Sequence, residues 1–233
     1  MRQIVLDTET TGLDPKQGHR IIEIGCVEMI NRRLTGNNYH QYIQPDREID
    51  EGAQAVHGIT PEFLADKPRF ADAVGDFLEY IKGAELIIHN APFDVGFINH
   101  ELNLVGPEYG EVATYCEVID TLVMARKMRP GKKNNLDALC KEYEVNNTQR
   151  DLHGALLDSE LLAEVYLHMT GGQSTLLLES EEESAEGNES TGSQRIQRIA
   201  SNRPALKIVP PSDSELNEHQ AFVKRMGESC LWK

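Results

Sequence analysis

The sequence is poor in cysteine, in long apolar runs and in basic residues, and each shortage excludes a class of protein. Its four cysteines, Cys26, Cys116, Cys140 and Cys230, are scattered and form no CxxC pair. This spacing argues against a structural zinc site and against a disulfide framework, so we expect reduced thiols in a cytoplasmic protein. No apolar run approaches the roughly 20 residues of a membrane-spanning helix, and the N-terminus shows no signal-peptide pattern.

The shortage of basic residues leaves a net charge of −15, which is unfavourable for gripping nucleic acid through its phosphates. Residues 1–172 carry 16 basic and 28 acidic side chains (net −12), and residues 173–233 carry 7 and 10 (net −3). One interpretation is a solvated acidic surface without function. The other is that acidic groups surround divalent cations in a protein that holds DNA weakly by itself.

Residues 1–172 show the pattern of one α/β domain. Apolar segments at 4–6, 21–27 and 39–43, joined by short polar links, predict an antiparallel meander. Apolar residues at 70, 74, 77 and 81 predict an amphipathic helix. Further predicted elements are strands at 86–88 and 118–119 and helices at 95–104, 136–143 and from 157 to just before Gly171. This order predicts a mixed sheet flanked by helices.

The composition changes after residue 172. Residues 179–189 are rich in Glu and Ser without periodicity, which predicts a disordered acidic linker. Ser212 and Glu215 have the spacing of a capping box and predict a helix to about residue 226. We therefore expect a flexible C-terminal tail, divided into a linker at 173–194 and a terminal segment at 195–233.

Asp7 and Glu9 stand two residues apart at the end of an apolar strand, so both carboxylates point to the same face. Their repulsion must be compensated by a proton, by a basic side chain or by a metal ion. No basic residue is adjacent in the sequence, and small neighbours leave space for Mg²⁺ or Mn²⁺, which prefer oxygen ligands. By itself the pair also fits an exposed polar strand end.

Two later segments add acidic residues and a histidine. Asp94 follows a second predicted strand at a helix start, where it also fits a helix cap. His153 precedes Asp158 by five residues, which on an ideal helix would leave the side chains about 140° apart. We therefore expect His153 on the loop before the helix, where it suits proton transfer or is simply solvated. Asp120 is expected to cap a helix from Thr121.

Taken in order, segments 7–12, 56–59, 89–94 and 153–158 resemble the DEDD exonuclease superfamily in its His-containing branch. The resemblance implies a ribonuclease-H-like fold and cleavage from a 3′ end with two divalent cations, Mg²⁺ or Mn²⁺. It implies the following roles: metal ligands Asp7, Glu9, Asp94 and Asp158, and general base His153. Segments 31–38, 125–132 and 227–232 further resemble the proofreading subunits of bacterial DNA polymerase III.

The same resemblance implies contacts with the terminal nucleotide. The residues concerned are Asp7, Glu9, Thr10, Gly12, His57 and Asp158. Small residues at 10 and 12 would let the sugar and base approach, whereas His57 also fits a capping or surface role. An acidic contact expected near position 52 is replaced by Gly52, with Glu51 as the nearest substitute. The basic residues between 126 and 133 either follow the DNA backbone or form a solvated loop.

The tail is expected to attach the enzyme to partners. Gln173, Leu176, Leu177 and Leu178 resemble the peptide that binds bacterial sliding clamps. Leu231 and Trp232 are the expected anchor for the catalytic (alpha) subunit of the polymerase, since a buried aromatic residue is a common hot spot. A small accessory subunit could bind the exonuclease domain.

The predicted function is proofreading: removal of mispaired 3′-terminal nucleotides of DNA as 5′-monophosphates, in the bacterial cytoplasm at the nucleoid-associated replisome and without a membrane partner. Two alternatives stay open. The first is an RNA-trimming exoribonuclease of the same superfamily, and the second is a non-catalytic scaffold subunit of the polymerase.

Overall fold

The computed structural model describes residues 1–150, 152–171 and 210–226. The strands are β1 (Arg2–Thr10), β2 (Ile21–Ile30), β3 (Arg33–Leu34), β4 (Tyr39–Tyr42), β5 (Glu85–Ile88) and β6 (Glu117–Asp120). The helices are α1 (Glu51–His57), α2 (Pro61–Leu64), α3 (Phe70–Ile81), α4 (Ala91–Val105), α5 (Thr121–Met128), α6 (Leu136–Glu142), α7 (Ala155–Gly171) and α8 (Asp213–Met226). Short 3₁₀ turns lie at Pro15–Gln17, Pro107–Tyr109 and Val112–Thr114. Contacts divide the chain into two units, Met1–Leu177 and Leu178–Lys233, and the second contains α8.

The strands of the first unit form one six-stranded mixed sheet in the order β3-β2-β1-β5-β6, and β4 also pairs with β2. Strands β1, β2 and β4 pair antiparallel, whereas β5 and β6 run parallel to β1. The predicted mixed sheet flanked by helices is confirmed. An unpredicted strand, β3, arises because Asn31 and Arg32 adopt φ values of 50° and 65° and turn the chain tightly back onto β2.

The two faces of the sheet have separate apolar cores. Ile4 and Leu6 of β1 pack with α3 and α4 on one face, whereas Val5 packs with α7 on the other. This alternation follows from the period of two along a strand. It directs Asp7 and Glu9 towards α7 and directs Thr8 towards α4.

Helix prediction succeeded where the apolar period was long enough to read. The helix predicted between residues 70 and 81 is α3, and both hydrogen bonds of the Ser212–Glu215 capping box are present at the start of α8. Helix α4 begins earlier than predicted, at Ala91, because Asn90 in the left-handed region (φ 66°) starts it. Helices α1 and α2 were missed because seven and four residues are too few to show periodicity. None of the helices in the described ranges is long and apolar enough to cross a membrane.

Candidate active site

A cavity of about 760 Å³ opens where β1 ends and where α4 and α7 begin. It brings together the eight residues to which the resemblance assigned metal binding, proton transfer or contact with the terminal nucleotide. These residues are Asp7, Glu9, Thr10, Gly12, His57, Asp94, His153 and Asp158.

Asp7 and Glu9 project from the end of β1 towards α7. Glu9 is buried and stands opposite the buried Glu23 in the register of β1 with β2. Burial, followed by the charges of Asp158 and Glu23, raises the pKa of Glu9 to about 8 against the opposing effect of Arg150. The pKa of Asp7 is also raised well above its usual range, first by burial and then by Asp94 and Glu9. The two carboxylates therefore strongly favour any added positive charge.

Asp94 reaches the cavity from the first turn of α4, on the other face of the sheet. The Thr8 hydroxyl donates a hydrogen bond of 2.7 Å to its Oδ1 and fixes its orientation. Burial raises the pKa of Asp94 to about 7, although the bond from Thr8 acts in the opposite direction. Asp94 does not cap its helix, because the N-cap residue is Asn90.

Asp158 is positioned by the close approach of α7 to β2. A Cβ atom on Gly25 would overlap the backbone of Ala155 and Leu156, so only glycine lets the helix start lie directly on the strand. The Ser159 hydroxyl donates a hydrogen bond of 2.9 Å to the Gly25 carbonyl and secures this contact. Sequence reasoning missed Gly25, although a glycine inside a buried apolar strand is a signal of close backbone approach.

Arg150 supplies the positive charge that the sequence did not reveal. Its guanidinium holds both oxygens of Asp158, at 2.5 and 2.6 Å, and donates to Asp137 at 2.7 Å. The side chains of Arg150 and Asp158 are both buried, which strengthens the pair. The absence of a basic neighbour therefore holds only along the sequence, because folding brings Arg150 into the carboxylate cluster.

His153 lies on the loop before α7, as predicted from its spacing to Asp158. Its backbone N–H bonds to the Val56 carbonyl at 3.1 Å, which ties the loop to α1. Arg150 donates to its Nδ1 at 3.1 Å. Because a guanidinium can only donate, Nδ1 is the acceptor and the neutral imidazole carries its hydrogen on Nε2. Burial, followed by the charge of Arg150, lowers the pKa of His153.

The donor atoms of the cavity fit a divalent cation. Ligand atoms of Glu9, His153 and Asp158 lie within 4.8 Å of one another, and carboxylate oxygens suit hard cations. Among the residues that line this cavity, Arg150 supplies the positive charge that partly offsets the carboxylates. The excess negative charge and the ligand chemistry both favour metal binding.

His57 is buried at the end of α1 and lines the cavity. The Ile59 N–H donates to its Nδ1 at 3.0 Å, so the hydrogen of the neutral ring lies on Nε2. This buried Nε2 has no hydrogen-bond partner in the described part of the chain. The nearby backbone of Thr10 acts to raise the pKa of the His57 ring. Burial lowers that pKa, which favours the neutral ring.

Three details differ from the simplest expectation for substrate contacts. Thr10 donates its hydroxyl hydrogen to the Gly12 carbonyl at 2.7 Å and so stabilises the turn after β1. A Cβ atom on Gly12 would overlap the ring of His19, so the glycine accommodates this histidine rather than only a ligand. Near position 52, the acidic residue that lines the cavity is Asp50 rather than Glu51.

Other sequence predictions lie outside the cavity. Asp120 caps α5 by accepting from Leu122 N–H at 2.8 Å and Val123 N–H at 3.1 Å, as predicted. The predicted partner-binding residues lie outside the described residues and stay predictions. They are Gln173, Leu176, Leu177, Leu178, Leu231 and Trp232.

The chain is similar to exonucleases in sequence and in structure. A family model described as Exonuclease matches residues 4–166. DNA polymerase III subunit epsilon of Salmonella typhimurium is 53% identical over 239 positions, covering 100% of this chain and 97% of that protein. A solved structure of Exonuclease X in complex with 5′ overhanging duplex DNA is 31% identical, with a TM-score of 0.57, over 72% of this chain and 91% of that one. The nuclease domain of 3′hExo, a DEDDh family member bound to rAMP, shares the fold with a TM-score of 0.62 at 19% identity, over 72% of this chain and 90% of that one.

Proposed function

The chain belongs to the exonuclease family and, within it, to the epsilon subunits of DNA polymerase III, and we propose that it removes mispaired 3′-terminal nucleotides from DNA as 5′-monophosphates. The observation that carries this proposal is the convergence of four carboxylates and His153 on one cavity. Complete retention of these groups favours an enzyme over a non-catalytic scaffold. We place the activity in the bacterial cytoplasm, at the replisome.

Asp7, Glu9, Asp94 and Asp158 would hold two divalent cations, Mg²⁺ or Mn²⁺. When bound, such cations supply positive charge to the phosphate and acidify the attacking water. Thr8 keeps Asp94 oriented through its 2.7 Å hydrogen bond. Since the guanidinium of Arg150 occupies both oxygens of Asp158, the side chain of Arg150 has to release or share Asp158 as a cation binds.

His153 would act as the general base. It takes a proton from water at Nδ1, its acceptor nitrogen, once Arg150 releases that atom, as the water oxygen bonds to the terminal phosphorus. The bond from phosphorus to the 3′ oxygen of the preceding nucleotide breaks, and that oxygen is protonated by solvent. The lowered pKa of His153 keeps the imidazole neutral and able to accept a proton at physiological pH. The Nε2–H of His57 would donate to an acceptor atom of the departing nucleotide, which gives this buried donor the partner it lacks within the described residues.

Digestion of a labelled primer tests the proposal. Wild-type protein with Mg²⁺ should shorten matched and mismatched DNA primers from the 3′ end and release 5′-monophosphates. Asp7→Asn should abolish the activity, whereas Glu160→Gln, an exposed change on α7, should preserve it. Faster digestion of short RNA than of DNA would favour the RNA-trimming alternative. Failure to digest any substrate would favour the scaffold alternative.

We further propose that the tail binds the polymerase catalytic (alpha) subunit through Leu231 and Trp232 and the sliding clamp through residues 173–178. The acidic domain gains little from counterion release on DNA, so tethering would raise the effective concentration of the 3′ end, up to about millimolar for a short flexible linker. Trp232→Ala and truncation after residue 172 should weaken co-elution with the alpha subunit while digestion of free oligonucleotides is retained. Undiminished co-elution of both variants would contradict this attachment.

A further inference from the structure

A second cavity, of about 690 Å³, adjoins the candidate active site. The two cavities share three wall residues, His89, Asn90 and Asn135, so they form one continuous depression. If the terminal nucleotide and its phosphate occupy the first cavity, the rest of the strand must leave it along the surface. The second cavity offers such a path.

The charges of the two cavities are opposite. Six carboxylates line the first cavity: Asp7, Glu9, Asp50, Asp94, Asp137 and Asp158. The second is lined by the cations Arg126 and Lys132 and by three asparagines, without a carboxylate among its described wall residues. In a chain of net charge −15, this cationic wall repels a phosphate less than the carboxylate-lined cavity beside it does.

Arg126 is available to a ligand. It lies exposed in the last turn of α5 and makes no hydrogen bond or ion pair within the ranges that the structure describes. It lies close enough to His89 for its charge to lower the pKa of that ring, although burial is the larger cause. Lys132, by contrast, pairs with Glu142 at 3.2 Å. Arg126 is therefore the principal free cation of this wall.

The loop between α5 and α6 is held in shape. The Asn134 side chain donates to the Lys132 carbonyl at 2.9 Å. The Asn135 side chain accepts from the Ala138 N–H at 3.2 Å and caps α6. Arg129 pairs with Glu142 at 2.9 Å. These bonds stabilise the wall before any ligand arrives, which reduces the entropy cost of binding.

We propose that the second cavity is a phosphate subsite, in which Arg126 and Lys132 bind the backbone of the DNA strand on the 5′ side of the scissile bond. This inference rests on the proposed function and adds to it a binding site outside the carboxylate cluster. Such contacts position the strand without reading its sequence.

The test compares two substrates. The 5′-p-nitrophenyl ester of thymidine monophosphate carries no upstream strand, whereas a six-nucleotide oligothymidylate does. Arg126→Gln should lower the ratio of kcat/KM for the oligonucleotide to kcat/KM for the ester by about fivefold to tenfold. Its oligonucleotide KM should depend less steeply on salt, by about 0.7 in the logarithmic slope, the value for one phosphate contact on a single strand. Arg126→Lys should restore most of the ratio.

Lys127→Gln is the matched control, because Lys127 is an exposed neighbour on α5 that lines neither cavity. It removes the same charge and should leave the ratio unchanged. Equal loss in Arg126→Gln and Lys127→Gln, or equal loss on both substrates, would overturn the subsite. Wild-type hydrolysis of the ester supports the proposed function whatever happens to the ratio, so the two proposals can fail separately.

Discussion

Neutralising Glu9 should stabilise the protein in the absence of metal. Glu9→Gln keeps the shape of the side chain and removes a carboxyl group whose pKa rises from 4.5 to about 8 on folding. A carboxyl group with a raised pKa binds its proton more tightly in the folded state. The free energy of unfolding therefore falls as pH rises from the unfolded pKa of 4.5 to the folded pKa of about 8, and the full penalty is present above pH 8.

The magnitude follows from the size of this shift. A difference of about 3.5 pKa units corresponds to at most about 5 kcal/mol at 1.36 kcal/mol per unit. Relaxation of the neighbouring carboxylates and the imperfect hydrogen bonding of a buried amide reduce this, and we expect a gain of about 2 kcal/mol. For a domain of this size, that gain raises Tm by about 4–8 °C.

The assay is thermal unfolding in EDTA at pH 5.0 and pH 8.5. Glu9→Gln should unfold at a higher temperature than wild type at pH 8.5 and close to wild type at pH 5.0. Addition of Mg²⁺ should raise the wild-type Tm more than that of the variant, because binding to the folded state stabilises it. Glu160→Gln, which removes an exposed carboxylate from α7, is the control and should change neither value. A Glu9→Gln protein no more stable than wild type at pH 8.5 would refute the reasoning that this cluster is desolvated and repulsive.

Three other substitutions test single features of the site. His153→Ala should lower kcat by roughly 10²–10⁴. The acid limb of the wild-type pH–rate profile should be centred below pH 6.5, because the pKa of His153 is lowered, and it should disappear in the variant. An unchanged profile would show that another group takes the proton. Arg150→Gln should lower the free energy of unfolding in EDTA by about 3 kcal/mol, since it leaves a buried carboxylate unpaired, and Mg²⁺ should restore much of the loss; urea unfolding with and without Mg²⁺ measures both, and unchanged stability in EDTA would contradict the pair. Gly25→Ala should cost about 3 kcal/mol or more in urea unfolding, because its Cβ overlaps the start of α7, whereas Gly75→Ala, at a position with open space on α3, should cost little.

Prediction of the fold succeeded where a short-range period carries the information. The alternation along β1 placed Asp7 and Glu9 on one face, and the structure directs both towards α7. The five-residue spacing between His153 and Asp158 placed the histidine before the helix, where it lies. Both inferences need only the geometry of one strand or one helix.

Several features of the site have no local signal. Arg150 occurs in a polar loop, and the residues beside it in the sequence do not reveal its ion-pair partners. These partners, Asp137 and Asp158, lie on α6 and α7. The Nε2 of His57 is a donor only because the Ile59 N–H occupies Nδ1. The role of Gly12 depends on His19, because the chain turns between them and the His19 ring lies where a Cβ atom of residue 12 would be.

The sequence by itself determined most of the strands and helices, the carboxylates at their ends and the resemblance to exonucleases, because these depend on residue type and spacing. Only the tertiary structure decided which charges compensate one another and which donors stay free. Charge compensation depends on distance and burial, and folding brings Arg150 onto Asp158 while it leaves Arg126 exposed beside the shared wall of the two cavities. The same residue type is thus a buried counter-ion in one place and a candidate phosphate ligand in the other, since desolvation strengthens the first contact and solvent access permits the second.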